Sequence, residues 1–181
     1  TNMCFLGIGG TYASALQAVS HMKEFTSMEV FAENAADYIT TGNRRIMEGT
    51  LLIYSSVTGS TPEIIQAVKK AYAAHATILA FLDNPNPKLQ NLCELCISYP
   101  QNEQLKLFMA ADRILFLRHE FDCYEDCYEN FDHFLADALI SVERSSDSFA
   151  QSFAKKHYND ALHYFVGAGN QWGSTYSYGM C

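Results

Sequence analysis

Hydroxyl side chains cluster where a short apolar segment of the chain ends and a helix is predicted to begin. Residues 51–54 are apolar, and Pro62 followed by Glu63 is typical of a first helical turn. The residues between them that carry a hydroxyl group or no side chain are Ser55, Ser56, Thr58, Gly59, Ser60 and Thr61. Free backbone N–H groups and the positive end of a helix dipole meet at such a turn. The segment is therefore suited to bind a phosphate group without lysine or arginine.

The same hydroxyl groups have a structural alternative. Serine and threonine are favoured at helix N-caps, because their side-chain oxygen accepts a hydrogen bond from the first turn. Taken alone, Thr61 is more typical of an N-cap than of a ligand-binding residue. The density of hydroxyl groups around it favours phosphate binding.

A glycine-rich turn near the start of the chain is a second candidate for ligand binding. Residues 7–11 read GIGGT, but the last glycine of a GxGxxG dinucleotide motif is replaced by Tyr12. Glu33 follows the second predicted strand without the context of a ribose-binding acid. Residues 59–61 lack the preceding lysine of a Walker A loop. A nicotinamide cofactor or a nucleotide is therefore not favoured.

The elements that position these turns alternate between strand and helix. The predicted strands are residues 3–8, 28–31, 51–54, 76–82 and 95–99, and apolar residues at helical spacing follow the first and third. Residues 32–41 are predicted as a helix or helical loop. Repeated βαβ units predict an α/β fold with a five-stranded parallel sheet and helices on both faces. The carboxyl ends of the strands should then bring residues 7–11, 55–61, 83–84 and 99–102 to one edge.

The chain after the fifth strand is predicted to be helical. Residues 105–117 leave almost no polar face, which is typical of a helix buried in a core or in a subunit interface, so a homodimer or larger homo-oligomer is expected. The acidic residues between 120 and 132 predict a solvated connection rather than a calcium site, because the glycine-centred calcium loop is missing. Further helices are predicted at residues 131–142 and 149–158.

The glycine turn recurs near the end of the chain. Residues 164–169 read YFVGAG and repeat the pattern of residues 5–9, an apolar strand followed by a glycine turn. A strand and half a helix cannot form a domain alone. This repeated pattern predicts a first domain at residues 1–158, and the incomplete opening strand and helix of a second, similar domain at residues 159–181.

Composition and charge narrow the classes of partner. The 181-residue chain fits one domain, or one domain and a fragment of another. Its net charge of −8 argues against nucleic-acid binding, which needs a concentrated basic surface. The sequence contains neither an apolar run of membrane-spanning length nor a signal peptide, so we expect a cytoplasmic protein without a membrane partner.

Six cysteines raise the alternatives of a metal site or a redox site. Cys93 and Cys96 form a CxxC pair, and Cys123 and Cys127 follow at a different spacing. Their apolar, tyrosine-rich and acidic neighbours differ from the polar, glycine-containing knuckles of zinc sites. Reduced cysteines in a cytosolic protein are favoured over zinc binding or redox chemistry.

Two motifs together resemble one family. The segment SVTGSTPE at residues 56–63 resembles the S/T-x-S/T-G-x-T phosphosugar loop of the sugar isomerase (SIS) domain family. Residues 7–12 resemble the first glycine turn of this family, and Glu33 matches its glutamate after the second strand. The return of the glycine turn at Gly167 resembles the tandem two-SIS arrangement. The region from residue 95 through the apolar helix looks closest to the fructosamine-6-phosphate deglycases, and the isomerase half of glucosamine-6-phosphate synthase is a more distant match.

The resemblance implies a three-layer, flavodoxin-like fold and a set of binding residues. The implied phosphate-binding residues are Ser56, Val57, Thr58, Gly59, Ser60 and Thr61, through the hydroxyl groups of Ser56, Thr58 and Thr61 and through backbone N–H groups. The implied sugar-binding residues are Gly9, Gly10, Thr11 and Glu33.

The resemblance also implies a reaction and its limits. Family members act on open-chain phosphosugars, in which a carboxylate moves a proton between C1 and C2, so we expect an isomerase or deglycase for a 6-phosphorylated amino sugar or fructosamine. Neither a metal ion nor an organic cofactor is expected. In the resembling enzymes the glutamate base and the ring-opening histidine come from the second SIS domain, which is expected beyond Cys181. No catalytic residue is therefore assigned in this sequence. His21 is expected to be packed or at the surface. The alternative is a non-catalytic SIS module that senses a sugar phosphate.

Overall fold

The computed structural model describes residues 2–98 and 102–179, and its centre is a sheet of five parallel strands. The strands are β1 (Asn2–Gly7), β2 (Val30–Asn34), β3 (Thr50–Ser56), β4 (Thr77–Leu82) and β5 (Leu95–Ile97). The helices are α1 (Gly10–Met22), α2 (Ala35–Thr41), α3 (Pro62–Ala73), α4 (Pro87–Gln90), α5 (Glu103–Leu117), α6 (Tyr124–His157) and α7 (Gln171–Tyr178). Residues 99–101, which the sequence placed at the functional edge of the sheet, and residues 180–181 of the last predicted helix lie outside the described ranges.

The strand order, β2-β1-β3-β4-β5, confirms the predicted α/β fold with a five-stranded parallel sheet. The continuous apolar runs of β1 and β3 are covered on both faces, as parallel strands require. The chain moves from β1 to β2 on one side and then crosses to β3 on the other. This reversal makes a switch point between the carboxyl ends of β1 and β3, where ligands bind in open sheets of this order.

Helices cover both faces of the sheet. Alternate residues of β1, β3 and β4 face α2 and α3 in the main core cluster, which includes Cys4, Leu52, Tyr54, Ile78, Tyr38, Ile64 and Val68. On the other face, α1 contacts β1 and β2, and α5 contacts β3 and α1. Helix α5 is only partly buried, since Leu107, Ala111 and Leu115 face the core while Met109 is exposed.

The second strand begins and ends later than the sequence predicted. Residues 32–34, predicted as helix, pair with β1 in the register Phe5–Ala32, Leu6–Glu33 and Gly7–Asn34. Asn34 then caps α2 by accepting a hydrogen bond from the Ala36 N–H at 2.9 Å. The pairing with β1 outweighs the helical propensity of residues 32–33.

The prediction of two helices after an acidic connection was wrong, because α6 runs without interruption through most of both. The segment between the predicted helices contains no glycine or proline, and Ser145 and Ser146 donate hydrogen bonds to the carbonyl of Val142 within the helix. Much of the acidic run belongs to the first turns of this helix, where carboxylates are favoured by the helix dipole.

The second glycine turn repeats the conformation of the first. Gly9 and Gly169 both have φ of 56°. Each accepts a hydrogen bond at 3.1 Å from the residue three positions later, Tyr12 in the first turn and Trp172 in the second. Residues 162–168 form neither strand nor helix, so the opening strand predicted there is absent, since a strand needs a neighbour to pair with. The domain boundary at residue 158 stays a prediction.

The chain divides into two compact units. One extends to Glu120 and includes the segment from Phe165 onward; the other is Phe121–Tyr164. Within the first unit α7 packs on α1, where Gln17 Nε2 donates a hydrogen bond to Ser174 Oγ at 2.7 Å. Among the helices of the described ranges, none combines the length and the apolar character needed to cross a membrane.

Candidate functional site

The hydroxyl-rich segment forms the loop between β3 and α3, which we call the hydroxyl loop (residues 55–61). It lies at the switch point and borders a crevice of about 120 Å³. The residues that line the crevice are Ile8, Thr11, Ser55, Ser56, Val57, Thr58, Thr61 and Ile64. The structure therefore brings the hydroxyl loop and the end of the first glycine turn to one place.

Hydrogen bonds within the hydroxyl loop fix its shape. Ser56 Oγ accepts from the Gly59 N–H, and Thr58 Oγ1 accepts from the Ser60 N–H, both at 3.2 Å. Thr58 Oγ1 and Thr61 Oγ1 lie 3.2 Å apart and share a hydrogen bond. Thr61 occupies the N-cap position of α3, but its side chain makes no capping hydrogen bond. Its hydroxyl group faces the loop.

Three backbone N–H groups of the loop have no hydrogen-bond partner within residues 2–98 and 102–179. They belong to Val57, Thr58 and Thr61, and all three residues line the crevice. Together with the first turn of α3 they supply the donors that an anion requires. Among the residues that the structure describes, neither a lysine nor an arginine lines the crevice, so a bound anion would be held by dipoles and neutral donors.

Ser55 is a crevice residue that the family motif does not include. It is 1% exposed, and its Oγ has no hydrogen-bond partner within the described part of the chain. A buried hydroxyl group without a partner costs about 1–3 kcal/mol of stability. The signal in the sequence was a serine at the end of a strand that is otherwise apolar.

The turn after β4 supports the hydroxyl loop from outside the crevice. Asn84 Nδ2 donates a hydrogen bond to the Val57 carbonyl at 2.7 Å, and Asn86 Nδ2 donates to the Gly59 carbonyl. The Asp83 N–H donates to the Ser56 carbonyl at 3.2 Å. The sequence placed residues 83–84 at this edge of the sheet but did not reveal these contacts.

The first glycine turn contributes one side chain to the crevice. Thr11 Oγ1 accepts from the Ile8 N–H at 3.0 Å and donates to the Ile8 carbonyl at 2.9 Å. Gly9 and Gly10, predicted to contact the sugar, are not among the lining residues.

Glu33, the fourth residue predicted to contact the sugar, lies at the end of β2 and is also not a lining residue. Its Oε2 accepts a hydrogen bond from Asn43 Nδ2. This contact orients the carboxylate towards the segment between α2 and β3.

No histidine or carboxylate lines the crevice in the described part of the chain. His21 packs between Phe25 and Phe108, and its Nε2 lies 2.5 Å from Asp112 Oδ1, which joins α1 to α5. The crevice therefore presents binding groups without a general base.

The protonation and the surroundings of the cysteines fit a structural role rather than a metal-binding or redox role. Burial raises the pKa of Cys93 to about 11, so its thiol is protonated at neutral pH. The five cysteines in the described ranges are all free, and no group of three or more His, Cys, Asp or Glu side chains there is placed to hold a metal ion.

Known proteins similar to this chain include sugar-phosphate proteins. Fructosamine deglycase FrlB of Bacillus subtilis (strain 168) is 23% identical over 167 residues, which cover 88% of this chain and 51% of that protein. A solved structure from Bacillus subtilis, provisionally named a phosphosugar isomerase, has a TM-score of 0.83 at 21% identity and covers 99% of this chain and 57% of its own. The chain thus spans about half the length of these relatives.

A second similar structure contains a ligand. The Vibrio vulnificus NanR protein, complexed with ManNAc-6P, has a TM-score of 0.50 at 14% identity and covers 77% of this chain and 55% of its own. At such identities, the likeness to solved structures shows the fold alone. The family model of the SIS domain matches residues 1–116, which is more than half of the chain. Its motifs, its sheet order and this match agree, and the chain belongs to the SIS domain family.

Proposed function

We propose that this chain is the phosphosugar-binding part of an isomerase or deglycase that acts on a 6-phosphorylated amino sugar or fructosamine. The observation that carries the proposal is the crevice at the switch point, where hydroxyl groups and unpaired backbone N–H groups converge without a cationic side chain. Such neutral donors at a helix start suit a phosphate monoester. The similarity to fructosamine deglycase FrlB supports the choice of substrate class.

The proposed roles divide the site into two parts. The hydroxyl loop, from Ser56 to Thr61, binds the phosphate group through side-chain and backbone donors. Thr11 borders the sugar chain, and Gly9, Gly10 and Glu33 stay proposed sugar-binding residues that would reach a ligand extending beyond the crevice. A crevice of about 120 Å³ is smaller than the 300–1,000 Å³ of a complete ligand pocket, so it holds one end of the ligand.

The proposed reaction is acid–base enolisation of the open-chain sugar. It needs an oriented substrate and a positioned base, and no organic cofactor. The base is not assigned to any residue of this chain, because the crevice offers binding groups only. We propose a cytoplasmic location, which the free cysteines support, since disulfides are rare in reducing compartments.

Replacement of the two facing threonines by valine tests the phosphate assignment. Thr58→Val with Thr61→Val keeps the shape of both side chains and removes two hydroxyl groups that lie 3.2 Å apart. We expect the dissociation constant for glucosamine 6-phosphate to rise at least tenfold, because a hydrogen bond to a charged group contributes about 1.5–3 kcal/mol. Thermal unfolding with and without the sugar phosphate measures the change.

A second pair of threonines, outside the hydroxyl loop, provides the control for the loss of two hydroxyl groups. Thr40 and Thr41 are exposed on α2, and their hydroxyl groups bond only to nearby backbone carbonyls. Thr40→Val with Thr41→Val should therefore keep the wild-type response to glucosamine 6-phosphate, and unphosphorylated glucosamine should stabilise no variant. Equal stabilisation of the wild type and the Thr58/Thr61 variant by the sugar phosphate would contradict the assignment.

A sensor without catalysis is the second candidate function, favoured by the absence of a histidine or carboxylate among the crevice-lining residues of the described ranges. Both candidates require sugar-phosphate binding. Turnover separates them: conversion of the bound sugar phosphate by the protein supports the enzyme, and tight binding without conversion supports the sensor.

We also propose that the chain forms a homodimer in which α6 pairs with α6 of a second copy in antiparallel orientation. None of the residues of α6 is buried, although one side of the helix carries an apolar stripe: Phe131, Phe134, Leu135, Ala138, Val142, Phe149 and Phe153. The first half of the helix is acidic, with Glu125, Asp126, Glu129, Asp132 and Asp137, and the last turn is basic, with Lys155, Lys156 and His157. Antiparallel pairing places the acidic half of one copy beside the basic end of the other.

Light scattering after gel filtration tests this dimer. We expect the wild type to elute with twice the chain mass of 20.3 kDa, and Phe134→Glu with Val142→Glu to elute as the monomer. Ile140, which is 43% exposed on the opposite side of the helix, supplies the control, so Ile140→Glu should leave the mass unchanged. A monomeric wild type, or dissociation caused equally by Ile140→Glu, would contradict the proposal.

A further inference from the structure

We propose that Asn84 is a positioning residue that turns the backbone N–H group of Thr58 towards the phosphate group, and that Asn86 holds the other end of the hydroxyl loop in the matching orientation. The inference rests on the proposed function, because it concerns the same crevice. It assigns a task to two residues that lie outside the loop motif. Neither residue lines the crevice, so both act through the loop backbone.

Three hydrogen bonds hold carbonyl groups of the loop against the turn after β4, which comprises residues 83–86. The Ser56 carbonyl accepts from the Asp83 N–H, the Val57 carbonyl from Asn84 Nδ2, and the Gly59 carbonyl from Asn86 Nδ2. All three carbonyls therefore point to the same side, away from the crevice.

The geometry of the peptide bond links these carbonyls to the ligand-facing donors. In a trans peptide the C=O of one residue and the N–H of the next point in opposite directions. Fixing the carbonyl of Val57 aims the N–H of Thr58, and the N–H of Val57 is aimed in the same way through Ser56. Both belong to the three N–H groups of the loop that have no partner within the described ranges.

Preorganised donors bind an anion better than mobile ones, because no ordering has to occur at the moment of binding. Without these contacts the hydroxyl loop could rotate its peptide planes and expose carbonyl oxygens, which repel phosphate. Asn84 is itself exposed, so its side chain contributes little buried contact and its main effect is on peptide orientation.

The test compares Asn84→Ala with Asn91→Ala. Asn91 is an exposed asparagine of the same region, and within the described ranges its side chain makes no hydrogen bond to the hydroxyl loop. We expect Asn84→Ala to raise the dissociation constants for inorganic phosphate and glucosamine 6-phosphate about tenfold, while the unfolding midpoint of the free protein stays within about 2 °C of the wild type. Asn91→Ala should bind both compounds as the wild type does.

Amide chemical shifts distinguish a positioning role of Asn84 from a purely structural one. On titration with phosphate the Thr58 amide should shift in the wild type and shift much less in Asn84→Ala. The Ser60 amide, which donates to Thr58 Oγ1 and lies next to the Gly59 carbonyl held by Asn86, should respond alike in both proteins. An unchanged affinity in Asn84→Ala overturns the inference. A loss of affinity accompanied by a large fall in the unfolding midpoint and by loss of all loop responses assigns Asn84 a structural role and overturns it as well. A wild type that binds neither compound overturns the proposed function, and the positioning role with it.

Discussion

Lys106→Met should lower the free energy of unfolding by about 3–5 kcal/mol, which is the usual effect of removing one partner of a buried ion pair. The Lys106 ammonium group pairs with Asp83 Oδ1, and the two side chains are 6% and 7% exposed. The methionine side chain fills nearly the same volume, so the loss comes from the charge that is left in a poorly hydrated place. Urea unfolding followed by circular dichroism measures the change.

Two further variants show whether the effect is electrostatic. Lys88→Met removes an exposed lysine and should change stability by less than about 0.5 kcal/mol. Lys106→Met combined with Asp83→Leu should recover part of the lost stability, since the buried charge is gone. A double variant less stable than Lys106→Met alone would show that the pair is not the source of the loss. The pair ties α5 to the turn that holds the hydroxyl loop, so Lys106→Met should also weaken sugar-phosphate binding, whereas Lys88→Met should not.

Gly59→Ala should abolish most of the sugar-phosphate binding, with a dissociation constant raised at least tenfold. Gly59 has φ of 61°, and a Cβ atom there would overlap the backbone carbonyl oxygen of Asn84. The left-handed conformation costs an alanine about 1–2 kcal/mol, and the overlap forces the loop away from the turn that shapes it. Calorimetric titration with glucosamine 6-phosphate measures the loss.

Gly49 isolates the conformational strain from the overlap. Its φ is 86°, but a Cβ atom at this position meets nothing within 4 Å. Gly49→Ala therefore carries the conformational strain without the overlap and should bind glucosamine 6-phosphate as the wild type does. Similar binding by Gly59→Ala and the wild type would mean that the close approach to Asn84 does not shape the site.

The sheet and the location of the crevice could be predicted because they follow from local patterns. Apolar runs followed by turns and helical spacing indicate βαβ units, and the carboxyl ends of parallel strands share an edge whatever the details of packing. The hydroxyl loop was found in this way, and so was its proximity to Thr11. The family resemblance, confirmed by the SIS domain match, narrowed the predicted ligand from an anion to a phosphosugar.

The contacts that the sequence did not reveal join residues far apart in the chain. Asn84 and Asn86 look like ordinary turn residues, and their bonds to the hydroxyl loop depend on the register of β3 with β4. Glu33 was assigned by motif alone, and its actual partner, Asn43, belongs to a loop that carries no motif. The continuity of α6 was missed because its serines resemble a break, although serine is tolerated in a helix when it bonds back to the preceding turn.

Ser55 has a consequence for how this protein could change under selection. Its buried hydroxyl group has no partner within residues 2–98 and 102–179, so the position lowers the stability of the fold and an alanine there should raise it. Natural proteins keep such unfavourable residues where function depends on them. A lineage selected for heat resistance alone would be expected to lose the serine early. A lineage that retains it in spite of its cost would indicate that the crevice still binds its ligand.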